Sequence, residues 1–191
     1  MIQDTVLGEE VTLETASGLF SPGHIDRGTL AMLSVAAFAP GLKVMDLGCG
    51  CGVVGIVAAK KCGAENVWMS DVDAGAVEIA RKNAERNGVP GVHCAISDGF
   101  ENVDTAGFDL ILSNPPYQSD FAVAKRFIEK GFNRLRIGGT MLMVVKRREW
   151  YKNRLSAIFG GVKIHEIDGY YVFEAQRLRL HYAGKKAKSA R

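Results

Sequence analysis

No run in this sequence is apolar for long enough to cross a bilayer. The longest, Leu30 to Ala39, contains Ser34 and stops at Pro40, about half of the roughly 20 residues a spanning helix needs. Lys and Arg are missing from the first ten residues, where a secretory leader would carry them ahead of an apolar core, so a cytoplasmic protein with no membrane partner is expected. Cysteine is scarce. Cys49-x-Cys51 has no second pair at zinc spacing, Cys62 and Cys94 stand alone, and His24, His93, His165 and His181 are scattered, which points to small thiols in a reducing compartment and to no metal site. Repeats, low-complexity tracts and Pro- or Ser-rich linkers are absent too, and 191 residues fit one ordinary domain. A content of 47% hydrophobic and 24% charged residues, with mean hydropathy near zero, excludes wholesale disorder and fibrous architecture.

Charge is small in sum and uneven in distribution. The net +3 divides into 12 Lys or Arg against 17 acids over residues 1–145 and 12 against 4 from Lys146 to Arg191. A basic C-terminal end suits an anionic partner or a solvated surface.

What is present is a regular alternation of element types. Short β-branched or apolar runs at 43–47, 66–71, 92–97, 108–113 and 140–146 read as strands, and helical patterns at 51–62, 74–87 and 119–136 lie among them. A further helix begins near Glu149. Beyond it, 162–167 and 170–176 flank Asp168-Gly169, a strong hairpin signal. The expected fold is a doubly wound, mostly parallel α/β sheet of seven strands with an antiparallel C-terminal hairpin. Ahead of it lie a strand-like run (VTLET), a Gly/Pro-containing loop and a helix over about 26–38 with Asp26 as N-cap. The expected division is an N-terminal segment over 1–40, a main domain over 41–180 and a basic tail over 181–191.

Chemistry concentrates at the strand ends. Asp46-x-Gly48-x-Gly50-x-Gly52 sits where the first core strand gives way to a helix, the edge at which open α/β sheets bind ligands. Gly50, Gly52 and Gly55 also satisfy G-x-G-x-x-G, so a dinucleotide must be considered. Against it stands Asp46, an anion beside the place a pyrophosphate would occupy. Asp71 closes the second strand 21 residues after Gly50, the spacing of a ribose-binding acid, and Asp98 closes the third. Asn114-Pro115-Pro116-Tyr117 ends the fourth. Its prolines free backbone carbonyls to accept, Asn114 adds a side-chain carbonyl and Tyr117 a stacking face, together suited to a flat group bearing NH₂.

These motifs resemble those of the class I S-adenosylmethionine-dependent methyltransferases. Asp46, Gly48, Gly50 and Gly52 look like their cofactor loop, Asp71 like the ribose carboxylate, Asp98 like the adenine-contacting acid and Asn114-Pro115-Pro116-Tyr117 like the NPPY amino-methylating signature. Gly18-Leu19-Phe20-Ser21 with Asp26-x-Gly28-Thr29 is similar to the segment that precedes the core in ribosomal RNA guanine-N2 methyltransferases and their small methyltransferase domain relatives. The resemblance runs from Gly18 to Leu178. It implies S-adenosylmethionine as cofactor, contacts to it from Phe20, Thr29 and Asn114, a catalytic set of Asn114, Pro115 and Tyr117, a segment over 1–40 that covers the cofactor, and an RNA acceptor, guanine N2 in ribosomal or other RNA. Adenine-N6 and protein glutamine-N5 transfer share the Asn-Pro-Pro-Tyr signature. Two readings of other classes stay open at this point: a dinucleotide oxidoreductase using Gly50, Gly52, Gly55 and Asp71, and a non-catalytic α/β domain that binds RNA or protein.

Overall fold

A computed structural model describes residues 1–15, 23–115 and 121–184. The sheet is built from β3 (Val44–Leu47), β4 (Val67–Asp71), β5 (His93–Ile96), β6 (Phe108–Ser113), β7 (Leu135–Val145), β8 (Lys163–Ile167) and β9 (Tyr170–Gln176). Their spatial order is β5-β4-β3-β6-β7-β9-β8. The five strands from β5 to β7 pair in parallel, and β9 joins β7 and β8 antiparallel. This is the seven-stranded, doubly wound sheet with a C-terminal hairpin that the sequence predicts. Asp168 and Gly169 both take positive φ (51° and 78°), the two left-handed residues that a tight hairpin turn between right-twisted strands requires.

Burial on both faces explains why the central strands read as continuous apolar runs. Val44, Val67, Met69, Leu110, Leu112, Leu142 and Val144 face α1 (Arg27–Val35), α2 (Val53–Cys62) and α3 (Ala74–Arg86). On the opposite face, Met45, Leu47, Ile111, Met141, Met143 and Phe173 pack under α4 (Phe121–Arg134) and α5 (Glu149–Phe159). Order reverses beside β3, whose neighbours are β4 on one side and β6 on the other. The crevice at the carboxyl ends of β3 and β6 is therefore where a ligand is expected.

Three boundaries differ from the sequence reading, each for a physical reason. The helix expected to reach residue 38 stops at Val35 because Ala36 is already extended (ψ 128°). Strand β7 starts at Leu135 instead of 140: pairing passes from Phe108↔Leu135 to Leu110↔Thr140, so residues 136–139, with their two glycines, form a bulge inside the strand. A strand absent from the sequence reading, β1 (Ile2–Val6), pairs antiparallel with β2 (Glu9–Leu13). Its turn is Leu7-Gly8, both at positive φ (51° and 82°). Leucine is an unusual residue for that conformation, which hid the hairpin.

Two asparagines one helical turn apart, Asn83 on α3 and Asn87 at its C-terminal cap, fasten this hairpin to the domain. Asn83 Nδ2 donates to Glu14 O and to Cys51 O, both at 2.9 Å, and Asn83 Oδ1 accepts from Glu14 N at 2.8 Å. Asn87 repeats the exchange with Thr12 N and O. Asn83 is fully buried, so its removal leaves three backbone groups without their partner. Asn83→Ala is expected to destabilise the fold by about 2–3 kcal/mol, read as a lower denaturant midpoint. Asn83→Asp, which keeps the acceptor and loses the donors, is expected to lose as much.

Candidate functional site

The chain leaving β3 doubles back through Gly48, Gly50 and Gly52, all at positive φ (78°, 53° and 87°), before α2 starts at Val53. Its amides are used by the protein itself. Gly48 N and Cys49 N donate to Ser70 O at 2.9 Å, Gly52 N to Cys49 O at 2.8 Å and Gly50 N to Asp71 Oδ2 at 2.9 Å. Gly55 N, in the first turn of α2, donates to Asp46 Oδ2 at 2.9 Å. Free amides at a helix start are what a pyrophosphate needs; here a carboxyl holds one of them. The third glycine of the G-x-G-x-x-G pattern has a packing reason instead, since a Cβ on Gly55 would meet Met69 Sδ at 2.3 Å. A dinucleotide is thus disfavoured, and a ligand with positive charge fits.

On the next strand, Ser113 Oγ donates to Leu47 O at 2.8 Å and ties the end of β6 to the end of β3. Asn114 follows at once. Its Nδ2 donates to Asp26 Oδ2 at 2.9 Å and to Thr29 Oγ1 at 2.8 Å, both on the first turn of α1. Its Oδ1 is buried, with no hydrogen-bond partner among the described residues. A buried carbonyl left in this state is costly, and such exceptions mark functional positions.

A cleft of about 620 Å³ joins these parts, lined among others by Asp26, Thr29, Asp46, Gly48, Gly50 and Asn114. Gly52 lies behind it as the cap of α2. Asp71 stands on the far side of the glycine turn, where Oδ1 also accepts from Asp73 N at 3.0 Å. Asp98 is apart from them. It borders a second cavity of about 460 Å³ with Phe100, Phe127 and Arg134, and pairs with Arg126 at 2.8 Å. Pro115 is buried beside Asn114. Phe20, Pro116 and Tyr117 lie outside the described residues. Sequence reasoning missed that Ile2 and Leu13 of the hairpin, with Thr15, line the cleft wall, and it did not reveal the bond from Asn114 to Asp26. Of the thiols, Cys49 and Cys62 are buried, Cys51 and Cys94 partly so, and all four are free.

Fold and cleft together define a Rossmann-like domain of the methyltransferase type. The chain belongs to the methyltransferase small domain family, whose model matches residues 10–174. It is 31% identical over 179 residues to the ribosomal RNA small subunit methyltransferase C of Hahella chejuensis, covering 92% of this chain and 50% of that protein. To the uncharacterised protein YbxB of Bacillus subtilis it is 30% identical, covering 89% of this chain and 88% of that one. Among solved structures it is similar to the T. thermophilus 16S rRNA N2 G1207 methyltransferase (RsmC) in complex with AdoMet and guanosine. The TM-score is 0.83 at 28% identity, over 92% of this chain and 49% of that one. The chain spans about half the length of the ribosomal RNA methyltransferases it matches. No helix among the described residues is long and apolar enough to cross a membrane.

Electrostatics in the cleft centre on Asp46, which is 2% exposed. Burial raises its pKa from 3.8 to about 7, with the charge of Asp71 adding to the rise and the Gly55 amide opposing it. The folded protein therefore binds a proton that the unfolded chain has released. The contribution of Asp46 to stability is fully present below the unfolded value, is lost as pH rises from about 4 to about 7, and is gone above that. The loss is at most about 4 kcal/mol at 1.36 kcal/mol per unit. Denaturant titrations of the ligand-free protein at stepped pH are expected to show this decline in wild type and a flatter profile in Asp46→Asn.

Proposed function

We propose that this chain transfers a methyl group from S-adenosylmethionine to an exocyclic amine of RNA, guanine N2 in ribosomal RNA being the acceptor the relatives favour. One observation carries the reading: the buried Oδ1 of Asn114, without a hydrogen-bond partner among the described residues, on a side chain that lines a cleft with Asp26 and Asp46. S-adenosylmethionine supplies a methyl group on a sulfonium. A sulfonium beside the buried Asp46 carboxyl would draw it toward its ionised form, and the Asp71 carboxylate beside the glycine turn is assigned the ribose hydroxyls. The segment over 1–40 covers the cofactor, a role supported by the hairpin residues in the cleft wall.

The lone pair of an exocyclic purine amine is conjugated with the ring, so the amine is a weak nucleophile. Asn114 Oδ1 and the Pro115 carbonyl accept its two hydrogens and hold the nitrogen toward the methyl group. Catalysis on this account is positioning and electrostatics. The departing proton goes to water, because a carboxamide is not a base. Tyr117 is assigned the stacking face for the base, on the sequence motif alone.

Charge beside the cleft supports RNA. Lys146, Arg147 and Arg148 follow β7, which runs parallel to β6 with Met143 opposite Ser113, and all three are exposed. Arg147 lies 5.3 Å over the Phe121 ring, itself stacked on Trp150 at 4.4 Å. Cations interleaved with aromatic faces suit single-stranded nucleic acid. Four free thiols fit a cytoplasmic setting.

The test is incubation with methyl-labelled S-adenosylmethionine and either total RNA or total protein from cells lacking this chain, followed by digestion and separation of nucleosides and amino acids. Label in N2-methylguanosine is the expected result. Label in N6-methyladenosine moves the acceptor to adenine, and label confined to protein overturns the RNA reading. Two variants separate the roles. Asp71→Ala is expected to weaken cofactor binding by about 1.5–3 kcal/mol in calorimetric titration. Asn114→Ala is expected to keep that affinity within a few-fold while transfer falls by about 10² or more.

A further inference from the structure

The Asn114 carboxamide has two N–H bonds and one carbonyl, and the structure assigns the N–H bonds completely. One goes to Asp26 Oδ2 at 2.9 Å and the other to Thr29 Oγ1 at 2.8 Å. The orientation follows from chemistry. A carboxylate only accepts, so turning the amide over would set two oxygens against each other at hydrogen-bonding distance. Asp26 Oδ2 also accepts from Thr29 N at 2.9 Å, as the N-cap of α1. One carboxylate oxygen thus anchors a helix start and a side chain 88 residues further along the chain.

We propose that Asp26 is a positioning residue for methyl transfer: it locks the Asn114 carboxamide with Oδ1 presented to the acceptor amine. The inference rests on the role given to Asn114 above. Its effect has two parts. The lock fixes in advance an orientation that a free carboxamide would lose half of the time. The negative charge behind the NH₂ also polarises the amide and strengthens Oδ1 as an acceptor for a nitrogen that becomes positive as the methyl group arrives. Thr29 shares the first part only.

Asp26→Asn and Asp26→Ser are the decisive variants, because asparagine and serine cap a helix as well as aspartate does and leave α1 in place. Asp26→Asn keeps an oxygen that can accept from both Thr29 N and Asn114 Nδ2 but loses the charge, and the shorter side chain of Asp26→Ser gives up the Asn114 bond as well. Single-turnover transfer to total RNA from cells lacking this chain is expected to fall by about 10- to 100-fold. Cofactor affinity in calorimetric titration should change by less than about 3-fold, and thermal unfolding should be unchanged. Thr29→Val should show a smaller loss in the same direction. The double variant D26N/N114A should be no slower than N114A alone, since Asp26 acts through Asn114.

A readout without ligand accompanies these rates. The Asn114 NδH₂ pair in the ¹H–¹⁵N spectrum, identified by its disappearance in N114A, is expected to be shifted and protected from exchange in wild type, and to move toward free-amide positions in D26S. Wild-type transfer in D26N alone would remove the charge effect and leave the lock. Wild-type transfer in D26S would overturn the proposal. So would a D26N effect that multiplies in full onto that of N114A, because Asp26 would then act independently of Asn114. If N114A itself transferred at the wild-type rate, the role of Asn114 would fall and the lock with it. A slow N114A with an unimpaired D26S removes the lock alone.

Discussion

A carboxyl buried beneath the start of a helix is the constraint from which the rest of the site follows. Asp46, enclosed at the end of β3, needs a donor, and the donor is the amide of Gly55 in the first turn of α2. For that amide to come so close, α2 must lie against β4, and Met69 leaves no room for a side chain at Gly55. The segment between strand and helix must then reverse within a few residues, and it does so through left-handed glycines. The reversed turn presents Gly50 N to Asp71, which couples the end of β4 to the same loop. One buried acid and one tight approach therefore fix the wall of the cleft and its sign of charge.

The opposite wall comes from distant parts of the chain. β6 delivers Asn114 beside β3 because the sheet reverses order there, and Ser113 fastens the two strand ends together. α1, from the N-terminal segment, supplies Asp26 and Thr29. The β1–β2 hairpin adds an apolar side, held by the carboxamides of Asn83 and Asn87. Asn83 also makes two attachments at once, since the same Nδ2 reaches Cys51 O in the glycine turn. Hairpin, cofactor-type loop and α3 are in this way a single hydrogen-bonded unit, while the N-terminal segment and β6 meet at Asn114.

Most of the fold was legible because its signals are local. Alternating strands and helices, the Asp168-Gly169 turn and the Asp26 cap are each read within a few residues. The hairpin at the N-terminus was not legible, since Leu7 occupies a turn position that glycine, asparagine or aspartate normally fill. The bulge in β7 was not either, because Gly138-Gly139 resembles a break between elements when seen without the neighbouring strand. In the site, the glycine turn, Asp46 and Asn114 stand where the motifs place them, and all three border one cleft. What the sequence could not reveal are partnerships across 69 to 88 residues, such as those of Asn83 with Glu14 and of Asp26 with Asn114. Nor could it reveal that Asp98 opens onto a separate cavity with Arg126 as its partner. Such pairs are fixed by tertiary packing and leave no mark on spacing.

The claim at the centre of this account is that the Asn114 carbonyl, without a partner among the described residues, accepts from the acceptor amine. A crystal structure of the protein with S-adenosylhomocysteine and guanosine bound tests it most directly. The account predicts Asn114 Oδ1 at about 2.7–3.2 Å from the exocyclic nitrogen of guanine, with Nδ2 still bonded to Asp26 and Thr29. A base seated elsewhere, or a carboxamide turned so that Nδ2 faces the base, would contradict it.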